Sequence, residues 1–221
     1  MLIVEEMFLL LSQDNAISDR AHRYRRYGLA AAALADLADT GVVQIADAGA
    51  PGGEPKVTVV KAGMTGRAPL DALLPALDGL SGKKISALVA HAKLDPELAT
   101  GQELARQGIV REESSFLGGS SFLTVNPAPA IALRERLGQV LSGDREPTLA
   151  ESTELGLLKA LNVAHGVLGP ARGDLDRRGL SRRIDAVAQG IPVVEAVQRV
   201  VDPITASTMT VTTAAGSARA T

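Results

Sequence analysis

The stretch YGLAAAALADLADTGVVQI, residues 27–45, decides the fold of this chain. Its long run of small and large apolar residues predicts a buried helix over 29–40. Gly41 stands where a helix often ends in the left-handed conformation, and Val42 to Ile45 is rich in β-branched residues. The stretch therefore predicts a core helix that passes directly into a short strand.

A second apolar segment, LIVEEMFLLL at residues 2–11, precedes it. Its only charges, Glu5 and Glu6, lie in the first turns, where a helix dipole tolerates carboxylates. This segment predicts another core helix. We expect Leu9 to share one core with five further leucines: Leu34, Leu37, Leu157, Leu158 and Leu161.

The order helix, glycine, strand, turn, strand occurs twice. Residues 34–43 and 102–110 resemble each other around Gly41 and Gly108. Strands are predicted at 42–45 and 56–60 in the first copy, and at 109–112 and 121–125 in the second. The pattern therefore predicts two small β-hairpins, each following a helix.

The rest of the chain is predicted to be helical. Thr148 and Glu151 form a capping box that opens a long apolar helix ending at Leu168. We expect one domain over 1–205 and a partly disordered tail over 206–221. The remaining predicted helices are 70–80, 83–92, 95–107, 129–141, 181–188 and a last one from Pro192, which Asp202-Pro203 should end or kink.

Composition supports a mainly α fold and excludes several classes of protein. Apolar residues make up 46% of the chain and aromatic residues 2%, which suits packed helices better than an aromatic-rich sandwich. A net charge of −2 gives no overall attraction to nucleic acid. No apolar run approaches the roughly 20 residues that span a bilayer. Without cysteine or a basic secretory start, we expect a cytoplasmic protein.

Catalytic, metal and cofactor motifs are not expected here. His22, His91 and His165 lie in three segments without metal-ligand spacing, and we expect His165 to be a hydrogen-bonded core or interface residue. The loop at 49–56 lacks the ending of a phosphate-binding loop and predicts a hairpin turn. There is also no nucleophile elbow. We therefore expect no catalytic residues and no enzyme.

A basic cluster precedes the core helix and is the candidate ligand site. Arginine guanidinium groups bind phosphate in a bidentate manner, and a neighbouring tyrosine can insert at a head-group boundary. A solvated turn is the alternative. A second basic run over 172–183 alternates with aspartates, which predicts internal neutralisation. The candidate head-group residues are Arg20, Arg23, Tyr24, Arg25 and Arg26.

A series of short motifs, each weak alone, occurs in the same order as in the Golgi phosphoprotein 3-like family, which the chain resembles. The abundance of Ala, Gly and Arg is typical of a bacterial member. The motifs are Glu5-Glu6, Gly28-Leu29, Asp36-Leu37, Gly41, 108–110, Phe122-Leu123 and 157–165. The resemblance implies a central helical bundle ringed by amphipathic helices. It also implies a peripheral protein that binds phosphatidylinositol 4-phosphate and retains glycosyltransferases. The family's hairpin serves self-association, and here residues 109–125 would supply Phe116, Leu117 and Phe122.

The chain departs from the family at the positions that bind the lipid. Where the resemblance implies a tryptophan and three arginines, this sequence has Ala21, Ala30, Leu94 and Glu97. Arg20 and Arg23 stand one or two places from Ala21 and can supply part of the charge. We therefore expect binding to anionic lipid with little preference for one phosphoinositide.

Three functions remain open at the level of sequence. The favoured one is a non-enzymatic peripheral adaptor that binds anionic membrane through 20–26 and partners through its hairpin. The second is a DNA-binding regulator with two winged-helix-like units, which the net charge and the lack of an arginine-rich recognition helix make unlikely. The third is a helical scaffold without a ligand.

Overall fold

The computed structural model of the protein is mainly α-helical with two small antiparallel sheets, as the sequence predicts. It describes residues 1–12, 19–46, 53–61, 63–114 and 120–203, with only the backbone for 19–23 and 114. The helices are α1 (Ile3–Leu11), α2 (Asp19–Asp39), α3 (Ala68–Asp71), α4 (Leu74–Asp78), α5 (Ile85–Val89), α6 (Glu97–Arg106), α7 (Ala128–Ser142), α8 (Leu149–Ala160), α9 (Ala164–Leu168), α10 (Arg177–Ala188) and α11 (192–203). The strands are β1 (Val43–Ala46), β2 (Lys56–Val59), β3 (Lys83–Lys84), β4 (Val110–Ser114) and β5 (Ser120–Thr124).

Helix α1 lies at the centre of the protein. Every side chain from Val4 to Leu11 is buried, and the helix packs against α2, α6, α7 and α8. A helix that is apolar on all sides has to be covered by neighbours on all sides. This short segment therefore organises the helices around it.

Helix α2 is longer than predicted. It begins at Asp19, so residues 19–26 form its first two turns and not a separate turn before it. The helix ends in the way the sequence predicts, with Gly41 at φ +72°. The basic cluster is therefore attached rigidly to the buried part of the same helix.

The two helix–glycine–hairpin units share one hydrogen-bond pattern. After α2, the Val42 N–H donates to the Leu37 carbonyl at 3.1 Å, and after α6 the Ile109 N–H donates to Leu104 at 3.0 Å. Gly41 and Gly108 both have φ +72°, which suits glycine in this cap. The predicted repeat is confirmed.

The two sheets differ in size. Strands β4 and β5 pair alone in register Glu112↔Phe122, whereas β1 and β2 are joined by β3 through Lys56↔Lys84. The prediction of one helix over 83–92 is wrong at its start, because residues 83–84 extend the sheet. The helix predicted at 70–80 is divided into α3 and α4, since Pro75 has no N–H to donate to the Asp71 carbonyl four residues earlier.

The helix predicted over 148–168 is also divided. Thr148 and Glu151 form the predicted capping box at the start of α8. Asn162 then adopts φ +61°, and the Val163 N–H donates to the Leu158 carbonyl at 3.0 Å. Asparagine tolerates this left-handed conformation better than most residues, so it ends α8 before α9 begins.

The predicted core is confirmed. The six leucines named from the sequence are buried within one continuous hydrophobic cluster. The final helix α11 reaches Asp202-Pro203, and the predicted tail over 206–221 lies outside the described residues. Within the described residues, no helix has the length and apolarity needed to cross a bilayer.

Candidate functional site

Arg25, one of the predicted head-group ligands, is directed into the protein. Its Nη1 donates to the Leu11 carbonyl at 3.3 Å, and its Nη2 donates to the Ser12 Oγ at 2.8 Å. Its guanidinium lies 4.4 Å from the Phe8 ring centroid, and Nε lies 3.3 Å from the Glu97 Oε1. Burial lowers the pKa of Arg25. Arg25 therefore forms hydrogen bonds at the end of α1, and little of its side chain is accessible to a lipid.

Tyr24 and Arg26 face different environments. Tyr24 is 5% exposed and stacks on Tyr27 with ring centroids 6.3 Å apart, so burial removes it from a head-group boundary. Arg26 is half-buried with its guanidinium 5.0 Å from the Tyr27 ring. The side chains of Arg20 and Arg23 lie outside the described residues. Arg26 is therefore the cluster member whose described side chain is accessible.

Of the four positions that the family resemblance assigns to the lipid, the side chain of Ala21 lies outside the described residues and the other three carry no cation. Ala30 and Leu94 are buried in the core. Glu97, the third such position, carries the carboxylate that pairs with Arg25. A carboxylate and two buried apolar side chains do not form an anion pocket.

Of the three predicted contact residues of the second hairpin, the structure describes one. Phe122 is half-buried, and its ring meets Phe8 edge to face with centroids 5.7 Å apart. Phe116 and Leu117 lie outside the described residues. On β5 the neighbouring Leu123 is 39% exposed. The described apolar surface of this hairpin therefore comes from Leu123 and the following Val125, which is 48% exposed.

The second basic run is only partly neutralised. Arg183 donates to the Leu141 carbonyl at 3.0 Å and to Val140 at 3.1 Å, where it satisfies the end of α7. Asp176 caps α10 by accepting the Gly179 N–H at 2.7 Å, and Asp185 pairs with Lys159. Three arginines of α10 have no ion pair within the described residues: Arg177, Arg178 and Arg182.

Of the two predictions for His165, the hydrogen-bonded core residue is not what the structure has, and the interface residue stays a prediction. It is half-buried on α9 and has no hydrogen bond within the described residues. Burial lowers its pKa, with Arg172 and Arg177 acting in the same direction and Asp176 opposing them. His165 therefore stands at a positively charged surface.

Sequence reasoning missed an acidic network in the core. Glu6, Glu151 and Glu154 are buried where α1, α7 and α8 meet, and Arg136 joins them, 2.5 Å from Glu6 and 2.9 Å from Glu151. Arg145 pairs with Glu151 from the α7–α8 loop. Neither Glu154 oxygen has a hydrogen-bond partner among the described residues. The signal available in the sequence was the presence of a carboxylate, Glu6, within an otherwise apolar helix.

Asp36 is a second buried acid with a structural role. Its two oxygens accept the Ile3 and Val4 N–H groups, each at 2.9 Å, so α2 caps the start of α1. Burial raises its pKa to about 6 despite these two bonds. Its partners are more than thirty residues away in sequence, so no local motif could predict this cap.

The geometry gives the DNA-binding alternative little support. Leu29 to Leu34 of α2 are buried, so this part of the helix has no free face for a DNA groove. In the second unit, α6 is attached to α1 and carries Arg106, which pairs with Glu103 of its own helix.

The comparisons with known proteins agree with the sequence resemblance. The family model described as Golgi phosphoprotein 3 (GPP34) matches residues 3–204, which includes α1 and all of the helices and hairpins after it. No curated protein matches the sequence. The match extends over far more than half of the chain, and the chain therefore belongs to the Golgi phosphoprotein 3 family.

Proposed function

We propose that this protein is a non-enzymatic peripheral adaptor that binds anionic lipid head groups through Arg20, Arg23 and Arg26. Family membership supports this class of function. The observation that carries the proposal is that α2 begins at Asp19, which holds these three cationic positions within the first turns of a helix anchored in the core. Tyr24 and Arg25 are buried on the same turns and attach this part of α2 to the core.

The proposed binding is electrostatic and not specific for one head group. Glu97 is paired with Arg25, and Leu94 is buried, so the positions that confer specificity in the family offer no cations here. Each basic residue near an anionic membrane contributes about 1 kcal/mol, and salt screens that attraction. Three arginines therefore give measurable, salt-sensitive adhesion.

The test is vesicle co-sedimentation of the wild type and the triple variant Arg20→Ala, Arg23→Ala, Arg26→Ala. We expect the wild type to pellet with vesicles that contain phosphatidylserine at low salt and to be released at high salt. The triple variant should pellet much less. Vesicles carrying phosphatidylinositol 4-phosphate at equal total charge should give the same result.

A matched control removes the same charge elsewhere. Arg67, Arg106 and Arg111 are exposed, and their replacement by alanine should leave pelleting unchanged if the start of α2 is the binding surface. Equal loss in both triple variants would show that only the net charge matters. Tight, salt-resistant binding to phosphatidylinositol 4-phosphate alone would refute the proposed lack of specificity.

We also propose that the hairpin of β4 and β5 is the contact for partners or for a second copy. The supporting observation is the pair of exposed apolar side chains at Leu123 and Val125. Exposed apolar residues that lie together are typical of interaction surfaces.

A further inference from the structure

A cleft lies between α8, α9, α10 and α11, far along the chain from the start of α2. Its volume is about 370 Å³, within the lower part of the range of small-molecule sites. A second hollow of about 530 Å³ lies beside it and shares Lys159, Ile184 and Gln198 with it. Both hollows lie against α10.

The cleft has an apolar floor and a polar rim. Leu180 and Ile184 of α10 are buried beneath it, together with alanines of α8 and α9. Ser181, Gln198 and Asn162 supply neutral hydrogen-bonding groups around it. This is the usual composition of a pocket for a small polar molecule.

Positive charge predominates at one end of the cleft. Arg177 and His165 both line it, and Arg177 has no ion pair within the described residues. Lys159 also lines the cleft, but its ammonium group forms an ion pair with Asp185. Among the described lining residues, Asp202 is the one carboxylate. Burial lowers the pKa of His165, Arg172 and Arg177 act in the same direction, and the nearby Asp176 opposes them.

The same cleft contains a serine, a histidine and an aspartate, but they are not arranged for nucleophilic catalysis. No hydrogen bond joins Ser181, His165 and Asp202 in the part of the chain that the structure describes. A catalytic triad requires its serine and its acid each to be bonded to the histidine. The arrangement therefore fits binding and not acyl transfer.

We propose that this cleft binds a phosphate monoester, with Arg177 and His165 contacting the phosphate and Ser181 and Gln198 contacting the rest of the molecule. Arginine recognises phosphate oxygens in a bidentate manner, and the imidazole adds a donor beside it. This site is separate from the proposed lipid surface on α2, so failure of one proposal leaves the other standing.

The test follows the imidazole resonances of the full chain by NMR while inorganic phosphate is added at constant ionic strength. Bound phosphate should shift the His165 resonance in a saturable manner and raise the pKa of His165, because a neighbouring anion favours the imidazolium. His22 and His91 lie in other segments and serve as internal references. Equal, unsaturable shifts of all three histidines would overturn the proposal.

Variants locate the site. Arg177→Ala should weaken phosphate binding about tenfold, and Arg177→Lys should restore part of it, since hydrogen bonds to charged groups contribute at about that level. Arg178→Ala is the matched control, because Arg178 is exposed on the same turn and does not line the cleft. Equal affinity of Arg177→Ala and wild type would refute the assignment.

The source of the phosphate is distinguished in two further titrations. Soluble glycerol phosphate represents a small metabolite, and vesicles of phosphatidic acid present the same chemistry on a membrane. A His165 response to glycerol phosphate assigns the cleft to a soluble ligand. A response to the vesicles alone assigns it to a lipid head group, and a response to neither, even with inorganic phosphate bound, refutes a monoester as the ligand.

Discussion

At the scale of single residues, Glu154 shows how a buried carboxyl depends on its protonation state. The side chain is fully buried, and the nearest cation, the Arg136 Nη2, lies 3.9 Å from its Oε2. Burial raises the pKa of Glu154 well above its ordinary value, and the neighbouring Glu6 carboxylate acts in the same direction. The folded protein therefore holds Glu154 as a neutral acid.

We predict that Glu154→Gln stabilises the protein increasingly as pH rises. The folded pKa lies above the unfolded one, so the folded state binds the extra proton and the wild type loses stability above pH 4.5. Glutamine has no proton to lose. The gap in free energy of unfolding should widen by up to about 1.4 kcal/mol per pH unit.

Urea denaturation of both proteins across pH measures this gap. Glu135→Gln, on the exposed side of α7, is the control and should give a gap that does not change with pH. A constant gap for Glu154→Gln would mean that Glu154 is ionised in the folded protein.

Asp36 gives a second prediction at this scale. Asp36→Ala removes both acceptors from the start of α1 and should cost about 1–2 kcal/mol. The pKa of Asp36 is raised from 3.8 to about 6, so the stability that Asp36 contributes is fully present below pH 3.8 and is lost as pH rises through 6. The cost should therefore be largest in acid. Thermal unfolding beside Asp39→Ala, an exposed neighbour, measures it, and equal effects of the two variants would contradict the cap.

At the scale of elements, each helix–glycine–hairpin unit depends on how its hairpin returns to its helix. In both units two consecutive N–H groups after the second strand donate to one carbonyl, that of Val42 or Ile109. The second hairpin is also packed on α6, where Phe122 covers Gly101. A side chain at Gly101 has no room.

We predict that Gly101→Ala separates the second hairpin from α6. The added Cβ would lie 2.4 Å from the Phe122 ring, too close for real contacts. Overpacking of this kind costs about 1–3 kcal/mol, which should appear as a lower denaturation midpoint and faster amide exchange in β5. Gly79→Ala meets no atom within 4 Å and should be neutral or slightly stabilising. An unchanged midpoint for Gly101→Ala would show that the Phe122 ring moves aside freely.

At the scale of the whole molecule, the outward face of the second hairpin predicts assembly. Replacement of Leu123 and Val125 by serine should lower the mass found by sedimentation without loss of helical content, because both side chains already face solvent. Phe116→Ser with Leu117→Ser should have the same effect. Leu98→Ser with Ile131→Ser removes equally exposed apolar groups elsewhere and should change nothing. A wild type that sediments as a monomer would refute self-association through this hairpin.

The sequence by itself determined the elements whose rules are local. Nearly continuous apolar runs predicted α1 and the buried part of α2, left-handed glycines predicted the ends of α2 and α6, and a capping box predicted the start of α8. The core leucines followed from the same apolar segments and from the apolar helix after the capping box. These features depend on residues a few positions apart, so a short window of sequence contains the whole cause.

Only the tertiary structure decided which polar groups became internal. Arg25 was predicted as a ligand but is buried against Phe8, and Glu6 meets Arg136 across 130 positions. The cleft beside His165 exists only because α8, α9, α10 and α11 come together. Burial and pairing of charges depend on which distant elements share a surface, and local propensity carries no information about that choice.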